Sequence, residues 1–427
     1  MVLLKHGLLV GTAGLVAAGA AGAADLPMKK AAPVEYVRVC SAQGEGFFYI
    51  PGTDTCLRIG GRLRAEVRYL EPGKRTDDAI GFRARARLNI DTRTATTYGT
   101  LRAFIRYEFT SNTGNFGADT TNLERAFIQF AGITAGRTQS FFDFYTNDYN
   151  FGAILVSDFS ANALAYTATF GSGFMATLSL EDGNARRQIQ NANVAVPPGD
   201  QNFTSGGERL PDVVGQLRVD QSWGMVQMSA ALHQMRSTNF VPGFAPQPFV
   251  DTDYGFAVQG GLQLKLPMIA SGDQLWLQGG YAEGAMSYLG LGNTSVGDIT
   301  LNQTDVYVDG TGDAKRSKAW AVTALFLHYW TPQVRQAVFG SYGRIDYAAS
   351  GSVVNAAGAT TGFVDTTDWR IGTNVSWIPV SGFYIGVEAL YRRVDPRGRV
   401  YANNDATGRL VGSADAIETR LRLQRDF

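Results

Sequence analysis

The sequence predicts an all-β chain: a transmembrane antiparallel β-barrel of about sixteen strands. Three observations predict it. Long stretches alternate apolar with charged or polar residues at a period of two, the spacing of a strand with two different faces. The connections between these stretches alternate short and long, as in barrels with short periplasmic turns and long extracellular loops. No interior stretch reaches the ~18 uninterrupted apolar residues of a membrane helix, although only 18% of the residues are charged. The 427 residues include 50 Gly, 25 Phe and 18 Tyr, which suits many turns and girdles of aromatic side chains. A formal net charge of zero argues against nucleic-acid binding by bulk electrostatics.

The N-terminus reads as a signal peptide, residues 1–23. Lys5 and His6 form a short basic region, Gly7–Ala20 is apolar, and Ala21-Gly22-Ala23 offers a small-x-small cleavage site. An anchor helix is the alternative, but the apolar run is short and ends in small residues. Residues 24–54 are expected as a periplasmic segment. It holds Cys40 and, just after it, Cys56 follows; these are the chain's two cysteines. In an exported protein such a pair suggests one disulfide, with two free buried thiols as the alternative. No histidine stands close enough in sequence to make the pair a metal site.

Residues 55–427 form the expected barrel. In Cys56–Leu70 the apolar set is Leu57, Ile59, Gly61, Leu63, Ala65, Val67 and Tyr69. Between them stand Arg58, Arg62, Arg64, Glu66 and Arg68. Four arginines within eleven residues of one strand face fit lipid outside and water inside. Phe82–Arg93 repeats the pattern with Arg83, Arg85, Arg87, Asp91 and Arg93. Gly99–Phe109 repeats it with Arg102, Phe104, Arg106 and Glu108. Further strands are expected over Leu123–Phe130, Ile133–Thr138, Leu164–Phe170, Phe174–Leu180, Val213–Val219, Val226–Leu232, Tyr254–Leu266, Trp369–Trp377 and Phe383–Tyr391. Ala319–Tyr329 is apolar on both faces, which fits a strand at a subunit contact or beneath a packed loop. The last strand alternates Ile417, Thr419, Leu421 and Leu423 with charged residues and ends in Phe427. A C-terminal aromatic of this kind resembles the signal read by the barrel-assembly machinery.

The run Val34–Cys40, followed by Gly46-Phe47-Phe48-Tyr49-Ile50-Pro51-Gly52-Thr53-Asp54-Thr55-Cys56-Leu57-Arg58, resembles the start of the alphaproteobacterial (Rhizobiales-type) outer-membrane porins. The leader, the loop pattern and the terminal Phe extend the likeness over nearly the whole chain. The resemblance implies a sixteen-stranded homotrimeric barrel among outer-membrane lipid and lipopolysaccharide, open to small hydrophilic solutes and ions and needing no cofactor. It also implies a third long loop folded into the lumen, its acidic residues facing arginines of the early strands. Here that loop is about residues 139–162. It carries seven aromatics, and its charges are Asp143, Asp148 and Asp158. The facing set is expected to be Arg62, Arg64, Arg83, Arg85, Arg87, Arg102 and Arg106. Opposed rows of charge would set up a field across a constriction and select solutes by charge and dipole. The Pro-Glu-Phe-Gly-Gly run of many enterobacterial porin loops is absent, so the likeness carries the loop's position and not its shape.

Other functions compete. The arginines could be plain lumen lining, and the loop aromatics could form a sugar track or an exposed binding patch. A plugged structural or adhesive barrel is a further alternative. An outer-membrane enzyme would need a positioned base. After the leader only His233 and His328 remain, and neither stands at a telling spacing from a Ser or Asp. Gly171/Gly173 and Gly290/Gly292 lie in loops with no helix following, so no nucleotide-binding motif is read there. No metal site is expected.

Overall fold

A computed structural model describes residues 38–188, 201–241, 248–348, 351–405 and 408–427. The expected leader and residues 24–37 lie outside them. Sixteen long strands follow in order: β1 (Thr55–Leu70), β2 (Ile80–Thr96), β3 (Gly99–Asn112), β4 (Thr120–Phe130), β5 (Ile133–Gln139), β6 (Ser160–Thr169), β7 (Phe174–Glu181), β8 (Asp212–Gln221), β9 (Gly224–Met235), β10 (Asp253–Lys265), β11 (Gln274–Glu283), β12 (Lys318–Thr331), β13 (Val334–Asp346), β14 (Thr366–Val380), β15 (Phe383–Pro396) and β16 (Ala414–Asp426). Each pairs antiparallel with the next. β16 also pairs with β1, Arg62 opposite Asp426 and Glu66 opposite Arg422, which closes the barrel and leaves no open edge between its ends.

The two ends of the barrel differ. At one end the turns are tight: residues 97–98, 131–132, 170–173, 222–223, 266–273, 332–333 and 381–382. Ala131 and Gly132 both take positive φ, 48° and 84°, the geometry a two-residue hairpin requires to follow the twist of its strands. At the other end run eight long loops, of which the third spans residues 140–159.

Alternation sorts the side chains as the sequence predicts. Ile59, Leu63, Phe82, Leu88, Ile105 and Phe109 are exposed on the outer face. One break in the alternation matters for the lumen. The register between β3 and β4 slips so that Arg106 lies opposite Arg125 but Tyr107 lies opposite Leu123. The extra residue, Glu124, is a β-bulge, and it lets two successive side chains, Glu124 and Arg125, face the same cavity.

The doubly apolar strand is explained by the third loop. On β12 the inner residues Leu325 and Leu327 pack with Phe144, Tyr145 and Ile154 of that loop and with Phe339 of β13. The oily inner face belongs under a packed loop, not at a subunit contact.

Before the barrel, Phe48–Tyr49 pairs with Leu57 and Cys56 of β1. Cys40 and Cys56 are joined in a disulfide with Cα atoms 6.0 Å apart. Buried Phe47 lies beneath it, and the Arg93 guanidinium sits 4.6 Å from the centre of its ring. At the other terminus the Phe427 carbonyl accepts a hydrogen bond from Gly61 N–H at 2.8 Å, and Phe427 N–H donates to the Gly61 carbonyl at 3.1 Å. A Cβ on Gly61 would stand 2.6 Å from the Phe427 ring and 2.5 Å from the Arg87 carbonyl. Glycine there lets the C-terminal ring lie flat on the first strand.

Candidate functional site

Arginines dominate the inner faces of β16, β1, β2 and β3. Register sets Arg62 opposite Arg87 and Arg64 opposite Arg85, like-charge pairs that are unfavourable by themselves. Carboxylates interleave with them. Glu66, with a fully buried side chain, lies 2.6 Å from Arg422, 3.5 Å from Arg83 and 3.8 Å from Arg420. Glu108 lies 2.5 Å from Arg87 and 3.6 Å from Arg85, and Asp426 lies 2.5 Å from Arg62. Arg64 and Arg106 are bonded instead to neutral amides: Arg64 donates to Gln424 at 2.8 Å and Arg106 to Asn89 at 2.9 Å. Their positive charge is not cancelled by the side chains they bond.

The third loop crosses the lumen and lies against the opposite wall. Its aromatics are the cause: Phe142 and Tyr145 are almost wholly buried, and Phe144 and Phe151 nearly so. Phe144 and Tyr145 pack on Trp276, each with ring centres 5.3 Å apart. Burying these rings leaves the loop's backbone groups in need of partners. Inward polar side chains on successive strands supply them. Gln216 donates to Phe141 O (2.8 Å), Gln227 to Asp143 O (2.9 Å) and Gln259 to Phe142 O (3.1 Å). Gln278 accepts from Tyr145 N, Thr323 donates to Leu155 O, Ser341 accepts from Leu155 N, and Asn374 donates to Tyr149 O. Glu388 accepts from the backbone N–H groups of Phe151 (2.6 Å) and Gly152 (2.5 Å), and Arg420 donates to Phe151 O (2.6 Å). One polar residue from each of β8 to β16 forms this track. Sequence reading missed it, because a lone Gln or Ser in a strand looks like ordinary lumen lining. The available signal was its recurrence on the inward set of every strand in that half of the barrel.

Between loop and arginine wall lies a polar cavity of about 710 Å³. Asp148 and Asp158 line it from the loop, and Arg62, Arg64, Arg85, Arg87 and Arg106 line it from the wall. The structure thus brings together seven of the ten charged residues named from sequence. The other three stand elsewhere. Asp143 is buried, 3.3 Å from Arg186, and accepts from Phe159 N–H (2.7 Å) and from Ser157, so it ties the two ends of the loop together. Arg83 pairs with Glu66 and lies over the Phe116 ring at 4.0 Å. Arg102 grips both oxygens of Asp91 at 3.0 Å. Residues not named from sequence also line the cavity: Glu124 and Arg125 from the bulge, and Arg335, which lies 5.5 Å from the ring centres of both Tyr149 and Tyr384.

Asp148 and Asp158 are open to lumen water yet hemmed in by protein. Burial raises the carboxyl of Asp148 above its ordinary range, while Arg62 and Arg87 pull it back. Asp158 is pushed up to about 6, by burial first and then by the neighbouring carboxylates Asp143 and Asp148. Burial disfavours the charged form of both acids; Arg62 and Arg87 favour it at Asp148, and hydrogen bonds from Asn147 and Gln139 favour it at Asp158.

Both histidines have aspartate partners that the spacing did not suggest. His233 Nδ1 lies 2.8 Å from Asp212, which also accepts from the Tyr288 hydroxyl at 2.6 Å. His328 Nδ1 lies 2.7 Å from Asp273. Each partner sits beside its histidine across the pairing of consecutive strands, β8 with β9 and β11 with β12. Most of the loop aromatics are turned into the wall, and Phe151 also lines the cavity.

The description "Porin subfamily" matches residues 25–418. Porin Omp2b of Brucella canis and that of Brucella abortus are each 32% identical over 298 residues, 66% of this chain and 75% of theirs. The outer membrane channel DcaP of Acinetobacter baumannii shares the fold, with a TM-score of 0.65 at 15% identity over 89% of this chain and 99% of that one.

Proposed function

The chain belongs to the porin family and forms an outer-membrane channel, not an enzyme, and from that premise we propose that the cavity between the third loop and the arginine wall is its constriction. Small hydrophilic solutes and ions cross it by passive diffusion. Asp148 and Asp158 form the acidic side. Arg62, Arg64, Arg85, Arg87 and Arg106 form the basic side, and Asp143 supports the loop from within. The observation that carries this reading is the loop's attachment to the far wall, which leaves its two lumen-facing carboxylates across from the arginines. Water there sits in a transverse field, and a solute passes with its dipole aligned.

Eight arginines and five carboxylates line the cavity, and three of those carboxylates, Glu108, Glu124 and Asp426, are paired with arginines. The excess of positive charge supports a preference for anions. We take the assembly to be a homotrimer set in lipid and lipopolysaccharide, with Phe427 as the signal for the assembly machinery and residues 1–23 as a cleaved leader. Single-channel recording of the unboiled protein in a planar bilayer under a salt gradient tests the channel. Steps that close in thirds at high voltage, with a reversal potential on the anion side, are expected. Absence of steps from folded protein would mean a plugged lumen.

A further inference from the structure

We infer that the loop between β11 and β12, residues 284–317, is a size filter set outside the constriction: it roofs the part of the extracellular mouth above the third loop and leaves the way in along the arginine wall. The inference rests on the constriction proposed above and adds a second narrow place to it.

Two independent observations carry it. The first is where the loop's hairpin lies. Thr294–Val296 pairs antiparallel with Ile299–Leu301, and this hairpin leaves β11 and β12 to reach β16. Val296, Ile299 and Leu301 are buried against Val394 of β15 and Ala414 and Ala416 of β16. Those wall residues share the strand face of Glu388, Arg420 and Arg422, while Val387 and Ile417 are exposed on the other face, so the hairpin is seated on the inside of the rim. At its tip a Cβ on Gly297 would stand 3.3 Å from that of Ala414, and a Cβ on Gly73 of the first long loop would overlap the Gly297 carbonyl. Four strand spacings separate β12 from β16. At ~4.8 Å between strands and a tilt of roughly 40°, the hairpin spans about 25 Å of the rim.

The second observation is what lies beneath. The root of the same loop covers the third loop from its outer side. The Tyr288 ring stands 4.8 Å from that of Phe142. Leu291 and Leu155 meet over Gly343 of β13, where a Cβ would stand 3.1 and 2.7 Å from them. Gly290 takes a φ of 69° and lies so close to the Val156 backbone that any side chain would overlap it. Root and hairpin together close the mouth above the third loop, from β11 round to β16.

Charge separates this filter from the constriction. Between Thr294 and Leu301 the only charged residue is Asp298, and Arg409 pairs with it. The roof therefore selects by bulk, whereas the charges of the cavity select by sign.

The test is single-channel conductance, reversal potential and liposome swelling of the full chain and its variants. Replacing residues 295–300 by Gly-Gly shortens the hairpin. Conductance should rise, and a trisaccharide should enter about twofold faster or more relative to a pentose, with the reversal potential unchanged. Ile299→Asn, which puts an amide into the apolar seat, should act in the same direction. Ser295→Asn, on the exposed side of the hairpin, should match the parent. Heat-modifiability on gels reports the folded barrel. A folded variant of either of the first two kinds with the parent's conductance and sugar ratio overturns the filter and leaves the constriction standing. A shifted reversal potential with an unchanged sugar ratio overturns it as well, since the loop would then act on charge. Absence of steps from the parent overturns constriction and filter together.

Discussion

Replacing Asp148 and Asp158 by Asn should move the channel strongly toward anions. The lining would change from eight arginines against five carboxylates to eight against three, and the two lost charges are those not paired with arginine. For an ion passing ~5 Å from one carboxylate, Coulomb's law in a water-like medium gives about 0.8 kcal/mol, which salt at ~0.1 M reduces to roughly 0.5 kcal/mol. The term has opposite sign for cation and anion, so removing one carboxylate changes their permeability ratio by about fivefold. Starting from equal permeabilities, a fivefold change under a tenfold salt gradient shifts the reversal potential by about 30 mV, and the second carboxylate adds to it. The assay is reversal potential in a planar bilayer at pH 7.5, with unaltered unitary conductance steps as the sign of a folded channel. A shift under about 5 mV would mean that these carboxylates lie off the ion path, and the proposed constriction would fall.

The same site predicts a pH effect. Asp158 is raised to about 6, so lowering the pH from 7.5 to 5 protonates it, removes a negative charge and moves the reversal potential toward anions; Asp158→Asn should erase most of that step. Glu66→Gln removes the shared counter-charge of Arg83, Arg420 and Arg422 and should destabilise the barrel by about 3 kcal/mol or more, since breaking a buried pair leaves its partners uncompensated; a lower unfolding midpoint on gels checks this. Glu388→Ala deletes two hydrogen bonds to the loop backbone, each worth roughly 1.5–3 kcal/mol, and should give larger, noisier openings in single-channel records. Cys56→Ser should lower resistance to unfolding by up to about 3 kcal/mol, for a closed loop of some sixteen residues, and leave the conductance unchanged.

Strand positions were legible because lipid and water impose opposite demands on neighbouring residues. Arg62, Arg64, Arg85 and Arg87 announce an inner face by their period alone. The bulge at Glu124 was not legible, since an extra residue leaves no mark once alternation resumes on either side. For the site, charge named Asp148 and Asp158, and both line the cavity. It named Asp143 by the same logic, though its charge is spent on Arg186 and on the loop's own backbone. Residue type cannot tell an acid that faces water from one that ties a loop, because that depends on which way the backbone turns. The polar track from Gln216 to Glu388 depends on how the third loop lies against strands far from it in sequence. The partners of His233 and His328 were hidden because each stands across the pairing of two consecutive strands, whose register residue spacing does not reveal.

The seam between β1 and β16 also bears on how the molecule is made. Arg62 and Asp426 are 364 positions apart, so ring closure must await the last residues to be synthesised and exported. Contacts of such long range slow folding. Until then both terminal strands present unpaired edges, which invite association with other chains. Their composition counters this. From Arg62 to Leu70, β1 bears Arg62, Arg64 and Arg68 against the single carboxylate Glu66, so it repels a copy of itself. Only the matched pairing places Glu66 beside Arg422 and Asp426 beside Arg62. Complementary charge at the seam thus acts as a proofreading step, favouring closure of one chain on itself over the joining of two.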